Sequence, residues 1–319
     1  MYNLDKFIKN INSRNVPFQG DFRFNEPMAD HTSFKTGGPA GLWVRPEGGC
    51  FPRYAALLLE SAKIEGIPVF ILGGGANVVM PDAGMQGIVL DTTGYSGVSE
   101  EFGEWGEERG GGRLCFRAGT SLDFAADYAA GRGLSGLEFL AGMPGSIGGA
   151  LWMNARCYGR EMADVAAEAW LLEGGEITRT VPKKEEFDYK KSPFQKRACL
   201  ILAVSFALQD KDPAIIKQEM AGHRADREAK GHYRFPSAGS VFKNNRALGK
   251  PTGKLIDELG LKGLFAGDAQ VAPWHGNIII NRGKALSKDI KTLTELIEAR
   301  VKKELGIELE REIIFVENK

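Results

Sequence analysis

Residues 133–159, GLSGLEFLAGMPGSIGGALWMNARCYG, restrict the possible folds of this chain more than any other stretch. They interleave seven glycines and one proline with large apolar residues. Such a stretch is too apolar to be a linker and too rich in glycine to be a regular helix or strand. It reads as a buried loop whose backbone closely approaches something, because glycine lacks a Cβ and tolerates positive φ. Backbone N–H groups left free in such a loop are natural donors to phosphate oxygens. For any one glycine pair, a tight turn between packed elements is the better reading. The grouping of Gly142, Gly145, Gly148 and Gly149 around Met143 and Pro144, closed by Asn154 and Ala155, favours a ligand.

A second glycine cluster precedes it. Residues 68–80 run from an apolar strand into Gly73, Gly74 and Gly75, then Ala76 and Asn77, then a second apolar segment. Glycines directly after a strand suit a loop that cradles a diphosphate. The chain has neither a GxxxxGK[ST] nor a GxGxxG pattern there, which argues against a P-loop or a Rossmann domain. Residues 1–30 read as a short helix and an irregular lead-in. Residues 31–41, which include Thr36 and Gly37, read as an anchored turn entering a strand at 42–44. Residues 52–65 carry helical spacing and stop near Gly66. Residues 87–91 read as the strand that closes a first domain. Residues 117–122, with Gly119 among them, lead from a strand into a helix that Ser121 can cap. The acidic segment 95–113 reads as a solvated hairpin loop without a function.

Composition narrows the class. At 319 residues, the length suits two or three domains. The 41 basic and 41 acidic residues balance, so neither a nucleic-acid nor a membrane-surface partner is implied. The 41 glycines exceed the usual share of about 7%, in keeping with many close backbone approaches. The N-terminus lacks the apolar core of a signal peptide. No run reaches the roughly 18 apolar residues of a membrane span, and a cytoplasmic protein is expected. Cys50, Cys115, Cys157 and Cys199 are dispersed and read as thiols. His31, His223, His232 and His275 show no metal-binding spacing, so no metal site is expected.

Beyond the glycine stretch, apolar runs at 169–172 and 200–206 predict sheet. Between them, Phe-Asp-Tyr-Lys-Lys-Ser-Pro-Phe places Tyr189, Lys190 and Lys191 in a basic turn. Asp212 and Pro213 open a helix with Ile215, Ile216 and Met220 on one face. Residues 236–244, Pro-Ser-Ala-Gly-Ser-Val-Phe-Lys-Asn, carry Ser240 without a GxSxG frame or an assignable histidine partner. Hydrolase chemistry is therefore disfavoured. Residues 252–263 read as a short helix with a glycine stop, and His275-Gly-Asn277 leads into a strand. Ser287 can cap a last helix whose core stripe is Ile290, Leu293, Ile297, Val301 and Leu305, with Gly306 as its stop. Residues 309–316 predict a strand that places Glu310 and Glu312 on one face.

Gly-Leu-Ser-Gly-Leu-Glu-Phe-Leu-Ala-Gly, then Pro-Gly-Ser-Ile-Gly-Gly-Ala, then Met-Asn-Ala, resemble the flavin-binding core of UDP-N-acetylenolpyruvoylglucosamine reductases (MurB family), enzymes of peptidoglycan precursor synthesis. The resemblance runs from His31 to Glu312 with its motifs in the family order. The short spacing from Lys190 to Ser240 is similar to the second subtype, which lacks an inserted loop with a substrate-contacting tyrosine. The resemblance implies an α+β chain: a two-subdomain FAD-binding fold of the vanillyl-alcohol-oxidase (PCMH) type plus a C-terminal α+β substrate-binding domain. The implied division is 1–91, completed by a strand at 312–319, for the first FAD-binding subdomain, 92–208 for the second, and 209–311 for the substrate-binding domain. The implied FAD contacts are Thr36, Gly37, Gly73, Gly74, Gly75, Ala76, Asn77, Gly119, Gly142, Pro144, Gly145, Ser146, Gly148, Gly149 and Asn154. Tyr189, Asn244, Lys262 and His275 are implied to contact substrate.

In the implied reaction NADPH reduces the flavin and leaves, and UDP-N-acetylglucosamine enolpyruvate takes its place and is reduced to UDP-N-acetylmuramate. Ser240 is implied as the proton donor. Lys190 and Glu312, with Glu310 as the fallback, are implied to hold the carboxylate on which enolate charge develops. This chain departs from the family pattern at several positions. Ala76 stands in place of serine, and Gly276 in place of a larger residue. Arg156 and Cys157 stand where small residues are expected. Lys190 replaces an arginine, with Lys191 beside it as a possible substitute; lysine keeps the charge but loses the planar fork. Two alternatives stay open: a flavin-dependent oxidase of the same fold with another substrate, and a catalytically inactive nucleotide-sugar-binding homologue.

Overall fold

The computed structural model describes residues 2–102, 107–108, 111–245 and 249–318; Glu104 and Gly110 of the acidic segment lie outside them. The chain forms two compact units. One comprises Met1–Phe24, Gly41–Gly74 and Gln86–Ala225, the other Asn25–Ala40, Gly75–Met85 and Asp226–Lys319.

In the first unit, Leu4, Phe7, Ile8 and Ile11 recur at helical spacing and form the helix Leu4–Ser13, whose start is capped by Asn3 accepting from the Lys6 amide. The expected irregular lead-in is instead partly regular, because Gly20–Pro27 is a strand. It edges a four-stranded sheet ordered Gly20–Pro27, Pro39–Pro46, Met85–Asp91, Val69–Leu72. The last two strands run parallel. The helix Phe51–Ile64 brings Tyr54, Leu58 and Ala62 onto Phe7, Ile8, Ile11, Leu42, Val44 and Ile88.

The run at 200–206 is apolar on successive residues because the strand Leu200–Asp210 is buried on both faces over most of its length. It lies between Ala166–Glu173 and Gly111–Arg117, antiparallel to both. Glu176–Thr180 extends the sheet on one side and Glu107–Glu108 on the other. Phe116, Val204 and Phe206 pack with Ala125, Ala129 and Leu151 of the helices Leu122–Gly131 and Ile147–Met153. Trp170, Leu172 and Leu202 join a separate cluster with Phe51 and Tyr95, whose rings stack at 4.6 Å. Ser121 caps the helix Leu122–Gly131 as its position predicts, accepting the Phe124 N–H at 3.2 Å. The helix Pro213–Ala229 starts where expected, with Asp212 accepting the Ala214 N–H at 2.8 Å. Its three isoleucine and methionine positions do not share one buried face: Ile216 and Met220 are buried and Ile215 is exposed. Successive helical residues point about 100° apart.

In the second unit, Ile290, Leu293, Ile297 and Val301 of the helix Ser287–Leu305 are buried in one core with Ala269, Val271 and Ile279. Those three belong to an antiparallel sheet of Phe265–Ala266, Ala269–Val271 and Ile279–Asn281. Leu305, the end of the predicted stripe, is exposed. Ser287 is the first helical residue rather than the cap, and its Oγ donates to the Met80 carbonyl at 2.5 Å. The cap is the Asp82 carboxylate, which accepts the N–H groups of Ser287 and Lys288 at 2.7 and 2.9 Å. An acid at that end also suits the helix dipole. The strand expected over 309–316 is confined to Ile314–Phe315, parallel to Val78–Val79, while Arg311 forms an isolated bridge with Phe242. Among the described residues, no helix is long and apolar enough to cross a membrane.

Candidate active site

In the first unit the two glycine clusters meet. The Gly74 N–H donates to Ser146 Oγ at 3.2 Å. A Cβ on Gly73 would lie 2.6 Å from that Oγ, and one on Gly74 would lie 2.8 Å from the Gly145 backbone. Only glycine lets the two backbones come this close. The N–H groups of Gly145 and Ser146 carry no hydrogen bond among the described residues. The result is a glycine-lined cradle with bare amide donors at Gly145 and Ser146, the chemistry a diphosphate requires.

The glycine stretch is not loop throughout. Ile147–Met153 is a helix, and Gly148 sits in it because a Cβ there would lie 2.8 Å from that of Ala118. Gly119 is likewise fixed by packing, with a Cβ falling 2.0 Å from the Thr92 carbonyl. Gly149 and Pro144 are exposed. The Gly142 N–H donates to Asp123 at 2.7 Å. Burial alone would raise the Asp123 pKa, but hydrogen bonds from Gly142 and Arg224 outweigh it and hold the carboxyl below its usual range. Asn154 ends the helix in the left-handed conformation, φ 45°, and is fully buried. Its amide donates to the Asp188 carbonyl at 3.1 Å, and its own carbonyl accepts from Ala163 at 3.1 Å. Asn154 therefore ties the glycine stretch to the turn that carries Lys190.

That turn is closed by an isolated bridge between Asp188 and Lys191. Lys190 occupies the left-handed region, φ 58°, and its Nζ lies 6.0 Å from the centre of the Tyr189 ring. Lys191 is exposed and pairs with Asp188 at 3.3 Å. Arg156, which sequence reasoning left without a role, places its guanidinium carbon 5.8 Å from the centre of the same Tyr189 ring.

The remaining implied FAD residues belong to the second unit. Gly75 is held at φ +61°, where a Cβ would lie 2.0 Å from the His31 carbonyl. Gly37, at φ +119°, is pressed against Met80. Thr36 is buried, and its Oγ1 has no hydrogen-bond partner among the described residues. An orphaned buried hydroxyl suits a polar ligand atom. Ala76 is half-buried. Asn77 is occupied with the backbone: its amide donates to the Glu312 carbonyl at 3.0 Å, and its carbonyl accepts the Ile314 N–H at 3.0 Å.

Ser240 and Glu312 are brought together through Val241. The Glu312 N–H donates to the Val241 carbonyl at 2.7 Å, and Val241 in turn donates to the Asn277 carbonyl at 2.9 Å. The Asn277 side chain, buried, accepts the Phe242 N–H at 2.9 Å and donates to the Phe242 carbonyl at 2.8 Å. Ser240 itself forms an isolated bridge with Ile278. Asn277 is thus the brace of the segment 240–242, a role its place in a His-Gly-Asn run did not reveal. The two acids that a spacing of two left equivalent are now distinguished. Glu310 is exposed and pairs with Lys243 at 2.5 Å, whereas Glu312 is half-buried with its backbone held on both sides. Asn244 Oδ1 accepts the Thr252 N–H at 2.9 Å, and Lys262 pairs with Asp257 at 2.7 Å. His275 Nδ1 accepts the Asn277 N–H at 3.1 Å, which leaves the ring proton on Nε2. Burial pushes the His275 imidazole below its usual range, so it stays neutral.

A family model described as FAD binding domain matches residues 55–180. With the glycine cradle inside that span, the fold and site define an FAD-binding oxidoreductase. A second model, described as UDP-N-acetylenolpyruvoylglucosamine reductase, C-terminal domain, matches residues 231–316. The UDP-N-acetylenolpyruvoylglucosamine reductase of Treponema pallidum (strain Nichols) is 39% identical, over 92% of this chain and 93% of its own length. That of Borreliella burgdorferi is 36% identical over 98% of both. The crystal structure of the MurB reductase from Thermus caldophilus has a TM-score of 0.74 and 30% identity, covering 94% of this chain and 100% of that one. The chain belongs to the UDP-N-acetylenolpyruvoylglucosamine reductase family.

The cradle gives a direct prediction. Gly74→Ala places a methyl against the Gly145 backbone. Overpacking of this kind costs about 1–3 kcal/mol, so FAD affinity is expected to fall roughly tenfold or more. The FAD-to-protein ratio after dialysis measures it. Wild-type retention of FAD would place the cofactor elsewhere.

Proposed function

We propose that this chain reduces UDP-N-acetylglucosamine enolpyruvate to UDP-N-acetylmuramate in the cytoplasm, as a step of peptidoglycan precursor synthesis, with NADPH as the hydride source. The observation that carries this reading, beside family membership, is the backbone hydrogen bond that ties Glu312 to the Val241 carbonyl next to Ser240. Gly73, Gly74, Gly145, Ser146 and Thr36 hold the FAD, which supplies hydride-transfer chemistry when bound. Division into 1–91 with 312–319, 92–208 and 209–311 belongs to the same reading.

Reduction of the enolpyruvyl double bond gathers negative charge on the substrate carboxylate. Lys190 holds that carboxylate by its fixed charge, and Glu312 holds it through a shared proton. Ser240 Oγ gives a proton to the carbon beside the carboxylate. A serine hydroxyl is a weak acid, so its value depends on placement, which the bracing by Asn277 supplies. Tyr189, Asn244, Lys262 and His275 line the substrate.

Anaerobic reduction by NADPH followed by addition of the enolpyruvyl substrate tests this reading: the flavin's yellow colour should return promptly. A flavin that stays reduced with this substrate, yet reoxidises rapidly in oxygen with turnover of an alcohol, would instead mark an oxidase. The lysines are separable in the same assay. Hydrogen bonds to charged groups contribute about 1.5–3 kcal/mol, so Lys190→Ala should slow reoxidation by roughly tenfold to a hundredfold. Lys191→Ala, which removes only an exposed pair with Asp188, should change it little. The reverse order would move the role to Lys191.

A further inference from the structure

We propose that Arg156 is a second carboxylate-holding residue, supplying beside Lys190 the guanidinium fork that a lysine lacks. The proposal rests on the reading of Lys190 as a carboxylate-holding residue. The two residues share one support. Asn154 donates to the Asp188 carbonyl at 3.1 Å, while Ser192 Oγ and Gln195 Nε2 donate to the Trp152 carbonyl at 2.7 and 3.0 Å. These three bonds fasten the Lys190 turn to the end of the helix Ile147–Met153. Arg156 lies two residues after Asn154, at the start of the hairpin Arg156–Cys157 and Arg160–Glu161.

From that common base both cations reach one ring. The guanidinium carbon of Arg156 is 5.8 Å from the centre of Tyr189, and Lys190 Nζ is 6.0 Å from it. Two positive charges held at one aromatic ring make its surroundings attractive to an anion. Arg156 is well placed to receive one. Its side chain is only 28% exposed, yet its donors make no hydrogen bond among the described residues. The acid nearest to it, its cross-strand partner Glu161, stops at 3.6 Å. The guanidinium is oriented by the ring and by Glu161, while its fork remains available for bidentate contact. A planar carboxylate matches that fork, and a point-charge ammonium does not.

The substrate offers two anions, a carboxylate and a diphosphate, and the test separates them. Flavin reduction by NADPH and reoxidation by the enolpyruvyl substrate are measured separately for Arg156→Ala, Arg156→Lys and Arg156→Ala combined with Lys190→Arg. Arg156→Ala should slow reoxidation about tenfold or more at limiting substrate, with FAD content and reduction by NADPH unchanged. Arg156→Lys should recover little of it, and Lys190→Arg should restore it by returning a fork to the same ring. Affinity for UDP-N-acetylglucosamine, which has the diphosphate but no carboxylate, should not change in Arg156→Ala. Equal weakening of that ligand assigns the guanidinium to the diphosphate and overturns the proposal. A lower melting temperature repaired by Arg156→Lys also overturns it, in favour of a hairpin brace. Wild-type reoxidation in Arg156→Ala alongside a defect in Lys190→Ala overturns the proposal and leaves the Lys190 reading standing. Wild-type reoxidation in both removes the carboxylate site itself.

Discussion

Ser240→Ala is expected to leave flavin reduction by NADPH at the wild-type rate and to slow reoxidation by the enolpyruvyl substrate about 10²–10⁴-fold, the usual worth of a positioned acid. The substitution is clean because the hydroxyl is all it removes. The Ser240–Ile278 bridge and the Val241 hydrogen bonds to Asn277 and Glu312 are made by backbone atoms and by the Asn277 carbonyl. The segment 240–242 should therefore keep its position, and the melting temperature should move little. Stopped-flow measurement of the two half-reactions reads the effect. Unchanged reoxidation would remove Ser240 from the reaction while leaving the FAD assignment intact.

The comparison of Glu312→Gln with Glu310→Gln should show the next largest contrast. The Glu312 backbone is fixed at both ends, its N–H on Val241 and its carbonyl on the Asn77 amide. Glutamine therefore changes the charge and proton of the side chain without releasing the chain. Loss of one preorganised partner at a developing charge costs about 10²–10³ in rate, and reoxidation should slow by that order. Glu310 pairs with Lys243 at the surface and is 66% exposed, and exposed pairs contribute only about 0–1 kcal/mol. Glu310→Gln should leave reoxidation near wild type. Equal losses in the two variants would show that the assay reports damage to the segment 310–312 rather than removal of a reacting group.

The legible parts of this molecule are those whose cause lies within a few residues. Ser121 and Asp212 cap the helices they precede, because a cap is a local hydrogen bond. The stripe Ile290, Leu293, Ile297, Val301 is buried as its period requires. Ser287 fails as a cap because Asp82, 205 residues earlier, reaches the same amides, and no local pattern records that arrangement. The helix Ile147–Met153 was hidden by its two glycines, each unfavourable by about 1 kcal/mol in a helix; contact with Ala118 requires one of them. At the site, both glycine clusters were visible, but their meeting at Ser146 was not. Spacing alone left Glu310 and Glu312 alike and only the resemblance preferred Glu312, because the Lys243 partner of Glu310 lies 67 residues away; Arg156 had no meaning until Tyr189 stood beside it.

The second unit is assembled from three separate lengths of chain, Asn25–Ala40, Gly75–Met85 and Asp226–Lys319. The early lengths are structural members of it: Phe34 receives the Asn281 amide, Asp82 starts the last helix, and Val78–Val79 pairs with Ile314–Phe315. During synthesis the first two lengths leave the ribosome long before their partners exist. Closing such distant contacts is slow and leaves apolar surface uncovered meanwhile. The C-terminal region that matches a family model by itself is therefore not an independent folding unit. Cut free at residue 226, it would lack the strand, the cap and the buried Phe34 that complete its core. The unit that carries Ser240 and Glu312 is finished only once Asp226–Lys319 has joined the two early lengths.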